Sequence, residues 1–301
     1  MKEMKIAYII SAYKDAEHLL RLVDSLDSQA DFYVHVDANV DMSTFRALLG
    51  QKVVFVPRHR ISWGGWLQVE YQRELLQAVL DSGIDYLRIV CLSGQDYPLW
   101  TNAHIHQFFS QNPDTEFIAG YNVTCGTDLG QQSKIRQYHL FRDLNAGSSW
   151  LKNKIVVASR HVMHWLHACK PLQVWLDGRM VDVYIGSDYW AITPRCAKYV
   201  VDALGRETRL VRYFKTSFVP SEMCLHTIIF NSPFAPKALI HSGRDYPGLS
   251  VLTPLHYIDY RGSVRILDES YADVLRKSGR MFCRKVVTGQ SDRLVELFER
   301  Y

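Results

Sequence analysis

The first 121 residues repeat one pattern: a short apolar run, then apolar residues at helical spacing, then another apolar run. KIAYIIS at 5–11 has the length of a buried strand, and Leu19, Leu20, Leu22, Val23 and Leu26 follow at the helical period. FYVHV at 32–36 predicts a second strand, 42–49 a short helix and 52–56 a third strand. Few folds accept that alternation. Parallel strands need crossover helices, so β-α-β-α-β opens a parallel sheet of the nucleotide-binding type, an α/β class. A helix over 67–80, with Val69, Leu75, Leu76, Val79 and Leu80 on one face, is followed by a central strand at 86–92, a helix at 103–110 and a strand at 116–121.

Beyond that point the periodicity fades. Residues 122–147 are mostly polar and predict long loops over a site, and 150–166 is mixed. VDVYIGSDYWAI at 181–192 places a Gly-Ser-Asp turn between apolar segments, and Pro194, Cys196, Ala197, Tyr199, Val200 and Leu204 follow at helical spacing. At 301 residues the chain suits one large α/β domain or two modest ones. It is read here as a single domain over 1–301, with a nucleotide-binding half at 1–121 and an acceptor and catalytic half at 122–301.

Ligands of such sheets sit outside the carboxyl ends of the strands, which draws attention to Ser11, Asp37 and Asp96. Asp37 suits the base or ribose of a nucleotide, or else caps a helix or turn. In RHRISWGG at 58–65 the two glycines allow close approach of backbone to a ligand, and the Trp63 indole can stack on a base or sugar. Asp96 stands alone between Gln95 and Tyr97, and one carboxylate is a poor cage for a divalent cation, so no metal is expected. His161, His164 and His167 place imidazoles one turn apart, with no carboxylate to complete a ligand set. Asp188 either holds a sugar hydroxyl or an arginine, or turns a hairpin. Arg284 and Lys285 in MFCRKV point to opposite faces on a regular strand, yet converge on one anion in a turn.

FVPSEMCLHTIIFNSPF at 218–234 holds the candidate base. Pro220 suits a first helical position, which puts Glu222 in the first turn, where the helix dipole favours an ionised carboxylate ready to accept a proton. Acids also stand in first turns for stability alone.

A net charge of +4 suits an anionic small ligand or loose attraction to an anionic membrane surface; no basic run is dense enough for nucleic acid. The start, MKEMKIAYIISAY, predicts neither a signal peptide nor a membrane span. Six widely spaced cysteines without a C-x-x-C pair argue for reduced thiols and a cytoplasmic setting.

RHRISWGG, LSGQDYPL, GSDYWAI, VPSEM and MFCRKV occur in an order that resembles the core-2/I-branching β-N-acetylglucosaminyltransferase and peptide O-xylosyltransferase family. The resemblance runs from about residue 5 to 286. It implies a GT-A-like, Rossmann-like nucleotide-sugar transferase fold that inverts the anomeric carbon without a metal. It assigns Glu222 as base and Arg284 with Lys285 to the donor diphosphate. Asp37, Ser62 with Trp63, Asp96, and Asp188 with Tyr189 fall to the donor nucleotide and sugar. Ser263, or neighbouring Arg265, is a further diphosphate contact. The chain resembles the short bacterial members, which implies a surface polysaccharide or lipid-linked glycan as acceptor at the inner face of the membrane, with at most peripheral membrane contact.

The expected reaction is a single displacement from a UDP-sugar, with UDP-N-acetylglucosamine and UDP-xylose the leading donors. Two rivals remain. A nucleotide-sugar binding protein needs Asp37 and Arg284 but not Glu222. A glycoside hydrolase needs a second carboxyl group beside Glu222, for which Asp96 and Asp188 are available.

Overall fold

The computed structural model describes residues 4–26, 29–145 and 150–299. The first three residues of the N-terminal stretch and the end of the expected loop at 146–147 lie outside them, as does the His164 side chain.

The alternation in the first half is present: β1 (Lys5–Ala12), α1 (Ala16–Ser25), β2 (Ala30–Val36), α2 (Ser43–Leu49) and β3 (Val54–Phe55). After them come α3 (Leu67–Asp81), β4 (Tyr86–Ser93), β5 (Asp96–Pro98), α4 (Asn102–Gln111) and β6 (Glu116–Asn122). The second half holds α5 (Leu129–Arg136), α6 (Trp150–Trp165), β7 (Gln173–Leu176), β8 (Arg179–Asp182), β9 (Tyr184–Gly186) and β10 (Ala191–Ile192). It closes with α7 (Pro194–Arg206), α8 (Thr208–Lys215), α9 (Cys224–Phe230), β11 (Ala238–His241), β12 (His256–Ile258), α10 (Ala272–Lys277), β13 (Phe282–Arg284) and α11 (Asp292–Glu299).

The main sheet runs β11-β6-β10-β4-β1-β2-β3, with β9 also on β6. Its β4-β1-β2-β3 portion is parallel throughout, and β10 is inserted antiparallel between β4 and β6. The sheet is mostly parallel, as the alternation requires.

Alternate residues of the central strands feed opposite faces, the period-two rule of a pleated strand. Ala7, Ile9, Ile89 and Cys91 pack with α3, α7 and α9; Ile6, Tyr8, Ile10, Val90 and Leu92 pack with α1, α2 and α4. Each buried aliphatic side chain contributes about 1.5–3 kcal/mol. This two-sided burial explains why β1 reads as a near-continuous apolar run and β4 as one interrupted by Arg88. The first core includes residues of both halves, from Ala7 to Leu252.

Two expectations from the second half are corrected. Residues 122–147 are not all loop: α5 forms there, capped by Asp128, whose carboxylate accepts the Gln131 amide at 2.9 Å. Its face is mostly polar because it borders a cleft, which hid its period. Nor does Gly-Ser-Asp turn a hairpin. β9 and β10 both run antiparallel to β6, with Gly186 opposite Gly120 and Ala191 opposite Phe117. Five residue steps therefore face three, and the excess is a bulge that carries Asp188 and Tyr189 out of the ladder.

Candidate active site

Parallel strands fan apart where the chain reverses the order in which it lays them down. β2 and β3 lie on one side of β1 and β4 on the other, so the crevice opens at the carboxyl ends of β1 and β4. Ser11, Tyr13 and Ser93 stand at those ends, Asp37 follows the end of β2, and all four line a cleft of about 970 Å³. That is room for a nucleotide-sized ligand.

Six of the expected residues meet in this cleft: Asp37, Trp63, Asp188, Tyr189, Glu222 and Arg284. Asp37 is fixed by the amides of Asn39 at 2.9 Å and Ile61 at 3.2 Å, which both donate to its Oδ1. Trp63 is 67% exposed and packs edge-on against Phe218, with ring centroids 5.0 Å apart. The glycines behind it serve the protein rather than a ligand. A Cβ at Gly64 would come within 2.5 Å of the Phe218 ring, and one at Gly65 within 2.1 Å of Asp143 Oδ1. This close approach lets the Val219 amide donate to the Gly64 carbonyl at 3.2 Å, which docks the segment leading to Glu222.

Val219 takes a left-handed conformation, φ 53°, which strains a β-branched residue and is sustained only by its surroundings. It swings Pro220–Glu222 into a 3-10 turn ahead of α9, instead of the first turn of a regular helix. The expected dipole effect is overturned with it. Burial, then the neighbouring Asp188 carboxylate, push the Glu222 carboxyl up to about 7, against the opposing pull of Lys134. A quarter of the Glu222 side chain still reaches solvent, and the Lys134 ammonium on α5 lies 3.9 Å from Oε2. Near neutral pH such a group is poised to accept a proton.

Asp188 is held from two sides. Gln72 of α3 donates to Oδ1 at 3.2 Å, and the Ser221 hydroxyl donates to Oδ2 at 3.1 Å. Burial raises its proton affinity, and the bonds from Gln72 and Ser221, together with the charge of Arg284, oppose that rise. Asp188 and Glu222 are thus paired acids in one pocket, each making the other harder to ionise.

Arg284 reaches the cleft from β13, with its guanidinium carbon 5.2 Å from the centroid of the Tyr189 ring. Behind it is Asp96, which is the first correction of place. In the three-stranded sheet β12-β13-β5, Asp96 sits opposite Arg284 and is wholly buried. Its Oδ1 accepts from Arg284 Nη1 at 3.0 Å, and its Oδ2 lies 3.2 Å from His256 Nε2 and accepts the Ser93 amide at 2.7 Å. Burial alone would raise its carboxyl, but His256, Arg284 and the Ser93 amide hold it below the ordinary range. Asp96 therefore orients the guanidinium and has no surface for a donor.

Three further residues lie off the cleft lining. Lys285 points its ammonium at the Tyr13 hydroxyl, 3.4 Å away, and Tyr13 itself lines the cleft. Ser62 is buried, with its carbonyl accepting the Gly65 amide at 3.0 Å. Ser263 is exposed at the tip of a turn closed by a bridge between Tyr260 and Val264, and those two residues line the cleft in its place. Arg265 is exposed on the same turn.

Lys134, Gln72, Ser221, Tyr246 and His35 escaped the sequence reading. Ser221 sits inside VPSEM beside Glu222, and the other four lie outside the signatures; a polar residue on an otherwise apolar buried face, as Gln72 is on α3, was the available signal. His35 stacks on Tyr71 at 4.6 Å, and burial with His59 and Arg58 nearby pushes it down to about 3, so it lines the cleft as a neutral ring. His161 and His167 line a separate cavity, and among the described residues no three His, Cys, Asp or Glu side chains gather as a metal set. All six cysteines are unpaired, four of them buried. Among the described residues no helix is long and apolar enough to cross a membrane.

A family model described as Branch, Core-2/I-Branching enzyme, matches residues 6–263. Mouse "Xylosyltransferase 2" is 25% identical over 254 residues, a stretch of 76% of this chain and 25% of the relative. "Xylosyltransferase oxt" of Drosophila melanogaster is 22% identical over 244 residues, 77% of this chain and 25% of that protein. The chain spans about a quarter of the length of these relatives. Among solved structures, mouse xyloside xylosyltransferase 1 in its apo form aligns over 94% of this chain and 96% of its own, at 11% identity and a TM-score of 0.32.

Proposed function

The chain belongs to the Core-2/I-Branching enzyme family, and on that premise we propose that it is an inverting glycosyltransferase that moves a sugar from a UDP-sugar to a hydroxyl of a glycan acceptor. One observation carries the reading: an acid poised near neutrality, Glu222, and a half-buried guanidinium, Arg284, face the same cleft at the carboxyl ends of β1 and β4. Glu222 takes the acceptor hydroxyl proton as that oxygen forms its bond to C1 of the donor sugar. The bond from C1 to the diphosphate oxygen breaks, and its electron pair leaves with UDP. Arg284, fixed by Asp96, meets the growing negative charge in a site whose dipoles need no reorganisation. Lys285, tied to Tyr13 at the cleft edge, adds a second cation nearby. Trp63 and Tyr189 offer aromatic faces to the base and sugar, and Asp37 offers a carboxylate to the ribose.

UDP-N-acetylglucosamine and UDP-xylose are the proposed donors, and a surface polysaccharide or lipid-linked glycan at the inner face of the membrane is the proposed acceptor. The reaction runs without a metal, the cations doing its electrostatic work. The test is UDP release from a panel of UDP-sugars with and without acceptor glycans. Release that accelerates with acceptor, persists in EDTA and falls on the order of 10²- to 10⁴-fold in Glu222→Gln supports the reading. A fully active Glu222→Gln refutes the base. UDP-sugar binding without turnover favours the binding protein, and sugar release from a glycan without donor favours the hydrolase, for which Asp188 supplies the second carboxyl group.

A further inference from the structure

Helix α6 presents its apolar side outward. Trp150, Ile155, Val162 and Trp165 are 70%, 44%, 49% and 78% exposed, and Leu166, just past the helix end, is 54% exposed. At about 100° per residue these five fall within about 160° of one another, an arc that also holds Lys154 and His161, with exposed Val157 about 20° beyond it. The opposite side is the packed one: Val156, Ser159 and Met163 are half-buried. A helix packed by its less apolar side leaves a stripe that water disfavours, and contiguous exposed apolar surface marks an interaction site.

The charges around the stripe identify what meets it. Residues 150–169 contain Lys152, Lys154 and Arg160 and no Asp or Glu. Lys154 lies within this arc, its ammonium 3.7 Å from the Trp150 ring centroid. On the flank between α5 and α6 is a cavity of about 460 Å³ that Arg136, Arg160, His161 and His167 help to line, with no carboxylate among its lining residues. Aromatic and aliphatic side chains on one side, cations among and beside them and a Trp at each end are the composition of a helix lying in a membrane interface. A second copy of the chain fits less well, because a two-fold contact sets each cation against its own kind and this segment has no acid to answer it.

We propose that α6 is an interfacial anchor that lays its apolar stripe in the headgroup region of an anionic bilayer. The anchor lies beside the cleft. The 3-10 turn Arg142–Asn145 precedes α6, and its Arg142 guanidinium donates to the Trp63 carbonyl at 2.7 Å while Asp143 accepts the Trp66 amide at 3.2 Å. A docked α6 thereby brings the Trp63 lip to the membrane surface. The anchor is independent of the proposed reaction, since binding to a bilayer needs neither donor nor acceptor.

The experiment is flotation of the purified chain with vesicles of phosphatidylcholine and phosphatidylglycerol in equal amounts, against vesicles of phosphatidylcholine alone, with light scattering in parallel. Binding to the anionic vesicles is expected to vanish in Trp150→Ser with Trp165→Ser. In Lys154→Ala with Arg160→Ala it should weaken about thirtyfold, the effect of about 1 kcal/mol per cation at an anionic leaflet. A blue shift of tryptophan emission on adding anionic vesicles to the unsubstituted protein is the second readout, and it needs no variant to fold. The proposal is overturned by no flotation and no shift, by equal binding to neutral vesicles, or by self-association that depends on the two tryptophans without vesicle binding.

Discussion

Replacing Lys134 with methionine tests the electrostatics of the cleft through one contact. The ammonium lies 3.9 Å from Glu222 Oε2 and is the smallest of the three influences on that carboxyl, after burial and Asp188. At this separation a pair of unit charges interacts by about 1 kcal/mol in bulk water and about 4 kcal/mol at an effective dielectric of 20. Both side chains keep roughly a quarter of their surface in solvent, so the lower end applies, about 1–1.5 kcal/mol or about one pK unit. The sign follows from the charge: the ammonium favours the carboxylate, so its loss raises the Glu222 carboxyl further. Lys134→Met should therefore move the acid limb of the kcat/KM profile for UDP release from about 7 to about 8, with the plateau reached only at higher pH. Lys134→Arg keeps the charge and should leave the limb near 7. A limb that stays put while activity falls evenly across pH would show that Lys134 acts on the substrate and not through Glu222. A downward shift would refute the electrostatic assignment altogether.

Glu222→Gln also carries a stability signature. The folded-state value is raised from 4.5 to about 7, so the favourable protonated state is fully present below about 4.5 and is lost as pH rises through 7. The rise of 2.5 units corresponds to about 3 kcal/mol as an upper figure, and Glu222→Gln should unfold later than the parent in urea at pH 8, the difference closing toward pH 4.5. A pH-independent difference would contradict this. Asp96→Asn leaves the Arg284 guanidinium without its buried partner. It should lower stability by about 3–5 kcal/mol in denaturant titrations, with a weaker donor KM in whatever folded protein remains. An unchanged donor KM in Asp96→Asn would separate Arg284 from donor binding.

The α/β class was legible because two-sided burial forces mostly apolar strands, and β1, β2 and β4 carry that mark in their own residues. Asp37 was legible for a related reason: it follows β2 directly, and strand ends are where such sheets open. Glu222 was found by its motif, yet the reason given for its ionisation was wrong. A local rule about helix dipoles gave way to burial and to Asp188, which is 34 positions away in the chain. Asp96 shows the same limit. Its position after a central strand suggested a ligand contact, while pairing with β13 turned it inward toward Arg284.

What the chain dictates locally is the period of its apolar residues, the ends of its strands and the residue types placed there. Which side chains share a cleft was decided only when β13 crossed to β5, when the bulge between β9 and β10 lifted Asp188, and when α5 brought Lys134 over the Pro220–Glu222 turn. Proton affinity depends on charges and water within a few ångströms, and neighbours at that range are set by tertiary packing and not by spacing along the chain.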